Sequence, residues 1–167
     1  CPAAEAFEWE LSQAAGLLLL HASEADAFWV SCCVIEDILP SLSDADPSLS
    51  ALVSDLAGFQ ERLAAALPAL AARLVELCVR VEYFCVEWWT TLFVGVLDVG
   101  SAVCVWDKLF DGGRWMLPEV SLALLSEMEP QLMACKDAST AFAILHGGAS
   151  GVPLSADAHA EGEDAAQ

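Results

Sequence analysis

Apolar residues recur along this chain at spacings of three and four, and that period predicts helices almost throughout. Residues 5–21 are rich in Ala and Leu, both strong helix formers. Ser23-Glu24-Ala25-Asp26 reads as a helix start: Ser23 can cap, and the two acids fall in the first turn, where the dipole favours them. The segment from Ala27 to Leu39 carries Phe28, Trp29, Val30, Cys32, Cys33, Val34, Ile35 and Ile38. It is apolar on nearly every side, which predicts a central helix with little solvent contact. Pro40 ends it. Residues 41–46 read as a loop, and Asp46-Pro47 as a cap and first turn. Leu49, Leu52, Val53, Leu56, Phe59 and Leu63 then form one stripe on a half-exposed helix. Pro68 predicts a break near Leu67, followed by a helix over 68–79 with Leu70, Leu74, Leu77 and Cys78 on one side.

The stretch from Phe84 to Leu97 is dense in large apolar groups and predicts one helix with two stripes. A further helix runs from Gly100 to about Phe110 and is stopped by Gly112-Gly113. Another covers 115–128 and is stopped by Pro130; a last one covers 131–146. The expected architecture is all-α, seven or eight helices with no sheet. Domain organisation follows: one domain over 1–146, then a tail over 147–167 whose Gly, Ser, Ala and acidic composition predicts disorder.

Composition narrows the function. A length of 167 residues suits one domain, and 57% apolar residues is too many for a disordered protein. There are 25 Asp and Glu against 6 Lys and Arg, a formal charge of -19. That balance argues against a nucleic-acid partner, since phosphate contacts need clustered cations, and against docking on anionic lipid. Apolar stretches are interrupted too early to span a bilayer: Gly16–Leu20 by His21, Leu63–Val79 by Pro68, Arg73 and Glu76, and Leu92–Trp106 by Asp98 and two glycines. No basic segment precedes an apolar one at the start, so no secretory signal is expected. The first residue is Cys, which predicts a fragment with residues missing upstream.

Seven cysteines are present with no CxxC pair, and His21, His146 and His159 lie at no ligand-like spacing from them. No metal is expected. Most of the thiols fall in apolar helical runs, which predicts reduced, buried cysteines in a cytoplasmic protein. Catalytic constellations are poor as well. Glu36 and Asp37 are adjacent and point to different sides of their helix. Gly112-Gly113 lacks the context of a phosphate loop, and no cofactor is expected. Six tryptophans are read as core packing at helix crossings.

The order of the apolar and acidic motifs carries more. Glu24-Ala25-Asp26-Ala27-Phe28-Trp29 comes first, then Leu67-Pro68-Ala69-Leu70, Trp88-Trp89-Thr90-Thr91-Leu92-Phe93, Val103-Cys104-Val105-Trp106-Asp107 with Gly113 after it, and Val120-Ser121-Leu122-Ala123-Leu124-Leu125. This series resembles the TBC domain, the Rab GTPase-activating fold, which shows E-D-A-F-W, L-P-x-L, W-F-x-x-L-F, R-V-W-D-x-F-L-x-x-G and A-L-A-L-L in this order. The resemblance runs from about residue 11 to about 135 and covers the C-terminal part of the family domain. It implies an all-α TBC-like fold and a GTP-bound Rab-type small GTPase as partner, in membrane trafficking. It also implies a regulator of another enzyme, in the cytoplasm or peripheral on endomembranes. Asp26, Phe28, Trp29, Pro68, Trp88, Trp89, Phe93, Trp106, Asp107 and Gly113 stand at family-motif positions and are expected to be structural. In the family, an arginine from I-x-x-D-x-x-R and a glutamine from Y-x-Q are given in trans to the GTPase. This sequence has no I-x-x-D-x-x-R, and the Y-x-Q glutamine would fall at Glu8 or Trp9, with Gln13 a turn too late. Cys104 stands where the family has the arginine before V-W-D, and Trp89 replaces the second aromatic of W-F. Both catalytic fingers are therefore missing, and a chain inactive alone is expected. A non-catalytic helical adaptor is the alternative.

Overall fold

The structure, a computed structural model, describes residues 2–39 and 50–147, and the side chains of 12–39 and 52–147. The expected loop at 41–46, the Asp46-Pro47 start and the tail from 148 on lie outside the described residues. Among the described residues the fold is all-α; the only extended pairing is an isolated bridge between Val94 and Leu97.

Helix α1 spans Pro2–His21, and His21 folds its ring back so that Nδ1 lies 3.0 Å from the Leu17 carbonyl. Ser23 turns the chain. Its backbone is extended, its oxygen accepts from the Asp26 amide at 3.2 Å, and its hydroxyl donates to the Asp26 carboxylate at 2.6 Å. Helix α2 covers Glu24–Cys33 and widens into a π-helical turn over Val34–Ile38. Helix α3 covers Ser50–Ala66. Pro68 forbids the α conformation at Leu67, whose φ is -129°, and itself opens α4 over Pro68–Glu76. Cys78, with φ at 57°, closes α4 in the left-handed region. Helices α5 (Glu82–Thr90), α6 (Val99–Gly112), α7 (Met116–Ala134) and α8 (Ala138–His146) complete the bundle, with a 3₁₀ turn at Gly113–Trp115.

Helices α5 and α7 are the hubs. Helix α5 packs on α1, α7 and α8, and α7 packs on α3, α4, α6 and α8 as well. Trp88, Phe84, Phe93, Leu92, Leu109, Leu124 and Leu125 are sealed from solvent. Each buried indole finds an acceptor: Trp88 Nε1 donates to the Leu145 carbonyl at 3.1 Å, Trp89 Nε1 to Ser121 Oγ at 2.9 Å, and Trp106 Nε1 to the Leu92 carbonyl at 2.9 Å. Those three bonds tie α5 to α8, α5 to α7, and α6 to the turn before it; left unmade, each would cost a desolvated donor.

Four expectations are corrected. The stretch from Phe84 to Leu97 is not one helix. Helix α5 stops at Thr90, and the chain reverses through Leu92 and Phe93, whose φ values are 50° and 65°. Left-handed backbone is strained for such residues, but it turns both side chains into the core, where they are fully buried. Gly95, with φ at 92°, completes the reversal. Pro130 does not stop α7. The helix continues to Ala134, because Met128 and Leu132, four residues apart and both buried, hold the two sides of the proline on one core face. The expected helix 131–146 is split at Cys135, whose ψ of 141° is extended, and α8 restarts under the Asp137 cap. Last, α2 is not shielded. Ala27 and Val34 are buried, but Phe28 and Trp29 are 60% and 67% exposed.

Surface ion pairs clip the helices. Arg62 on α3 pairs with Glu119 on α7, and Arg114 in the 3₁₀ turn pairs with Asp55 on α3. Arg73 reaches Glu76 at 2.7 Å and donates to the Cys135 carbonyl, Arg80 meets Glu82 at 2.7 Å, and His146 Nδ1 lies 2.7 Å from Glu87. Lys108 and Lys136 form no ion pair among the described residues.

Gly113 ends α6 with φ at 73° and ψ at -167°, a region open in practice to glycine alone. Open space lies where its Cβ would be, so no clash attends a substitution there. Gly113→Ala is therefore expected to destabilise through backbone strain, by about 1–3 kcal/mol. A lower urea midpoint with an unchanged slope would register it; an unchanged midpoint would refute it.

Candidate functional site

The motif residues separate into two sets. Trp88, Trp89, Phe93 and Trp106 lie inside. Trp88 stacks obliquely on Phe84 at 4.9 Å and on Phe93 at 6.4 Å, and Trp89 meets Phe59 edge-on at 5.9 Å. These rings fix α5 against α3 and hold the strained turn after it.

The second set faces outward. Asp26 completes the cap of α2. Phe28 and Trp29 form an edge-to-face pair at 5.4 Å on the open side of α2. Pro68 is exposed at the first turn of α4. Asp107 is exposed on α6 and makes no hydrogen bond or ion pair among the described residues. The expectation that the tryptophans are core is met by Trp88, Trp89 and Trp106 and not by Trp29 or Trp115, the latter 73% exposed.

Two further carboxylates, Asp98 and Asp137, cap helices. Hydrogen bonds from Ser101, hydroxyl before amide, and from the Gly100 amide hold the Asp98 carboxyl below its usual value, because Asp98 caps α6. The Thr140 amide and hydroxyl do the same for Asp137 at the start of α8. Burial pushes the Cys85 thiol well up, which makes it a poor nucleophile. Cys135 is also buried, but Cys33, Cys78 and Cys104 are exposed, contrary to the expectation that most of the thiols are inside. Among the described residues no group of His, Cys, Asp and Glu could hold a metal ion, and Glu36 and Asp37 both face solvent. Gln13 is half-buried against the strained turn, its Oε1 3.8 Å from where a Cβ on Gly95 would stand. Glu8 and Trp9 fall within α1, and their side chains lie outside the described part.

The indole anchors and the order of the helices are thus the parts of the motif series that the described residues display. The model of the Rab-GTPase-TBC domain matches residues 10–133, from the middle of α1 to the end of α7. This chain belongs to the Rab-GTPase-TBC family. Among proteins similar to it are "Small G protein signaling modulator 3" of Rattus norvegicus and its namesake of Homo sapiens. Each is 29% identical over 128 residues, which is 77% of this chain and 17% of the relative. The TBC chain thus spans about one sixth of the length of these relatives. TBC-family domains are GTPase activators, so small GTPases are the general class of partner. No described helix of this TBC chain is long and apolar enough to cross a membrane.

Two features of the site were hidden from sequence reasoning. The left-handed reversal at Leu92-Phe93 carries no Gly or Pro at those two positions. The exposure of Phe28 and Trp29 carries no signal either, because an apolar helix reads as buried.

Proposed function

We propose that this chain is a GTPase-docking portion of a TBC domain, which holds a GTP-bound Rab-type GTPase of membrane trafficking without supplying either catalytic finger. One observation carries the reading. The family's helices and their indole anchors are present across residues 10–133, while the sequence contains no I-x-x-D-x-x-R and has Glu8-Trp9 where the Y-x-Q glutamine would stand. The motif residues then act as scaffold: Trp88, Trp89, Phe93 and Trp106 from inside, Asp26, Pro68 and Gly113 at helix ends. The protein works in the cytoplasm and reaches endomembranes through its GTPase, since it has few cations with which to hold anionic lipid directly.

The test is binding by a panel of Rab-type GTPases to the immobilised chain, in their GTP-analogue and GDP forms. The expected result is at least one GTPase bound about tenfold or more tightly in the GTP-analogue form, a difference of about 1.4 kcal/mol. No binding across the panel would overturn the reading and leave a helical adaptor for other proteins.

A further inference from the structure

We draw no further inference here: the strongest candidate, the exposed Phe28–Trp29 pair on the open side of α2, is an unpartnered apolar face, and nothing in the structure shows what covers it.

Discussion

Added alone to a GTP-loaded Rab-type GTPase, this TBC chain is expected to leave the single-turnover hydrolysis rate within a few-fold of the intrinsic one. The argument is electrostatic. Negative charge spreads over the oxygens of the transferred phosphoryl group, and a fixed, desolvated cation placed there is worth about 10³ to 10⁵ in rate. The sequence given contains no I-x-x-D-x-x-R, and in the proposed register Glu8-Trp9 falls where the glutamine that orients the water would stand. A carboxylate at residue 8 would add negative charge beside negative charge. Stimulation on the order of several hundred-fold by the chain alone would refute the expectation, since that is the scale of a working arginine. Joining the chain to a segment that carries I-x-x-D-x-x-R separates the two readings further. A gain in rate favours an activator whose fingers lie elsewhere; binding without a gain favours the adaptor.

Replacing Trp88 by Ala is expected to cost about 3–5 kcal/mol, the usual range for emptying a buried aromatic site. Three losses coincide there. The ring is fully buried and lies against Phe84 and Phe93, so a large cavity opens. The Leu145 carbonyl loses its indole donor, which loosens α8 from α5. Phe93 loses a neighbour that holds it in left-handed backbone. Against a total stability of about 5–15 kcal/mol, this is a large share of what holds the chain folded. Urea unfolding followed by far-ultraviolet dichroism measures it. A loss below about 1 kcal/mol would show that the site collapses or that α8 is held by other contacts.

Helix starts and stops with local chemistry were legible in the sequence. Ser23 caps α2, Pro68 opens α4 and Gly113 closes α6 where the residue types place them. Boundaries set by tertiary packing were not. Pro130 carries the stop signal, yet burial of Met128 and Leu132 on one face of the core overrides it. Leu92 and Phe93 carry no turn signal, yet the core draws both inward and bends the chain. The family was legible because motif order survives in the apolar anchors. The way α4 sets off from α3 was not, since it depends on the backbone angles at Leu67.

The ion pairs described above occupy Arg62, Arg73, Arg80 and Arg114, four of the six cations in the chain. Most of the 25 acidic residues consequently have no cation to meet, and the surface repels itself. Dissolved salt shortens the reach of that repulsion to about 8 Å at physiological strength. Because exposed pairs contribute only about 0–1 kcal/mol each, the relief outweighs their weakening. Dilute buffer therefore loosens this bundle and a crowded ionic atmosphere tightens it, so its firmness follows the medium around it.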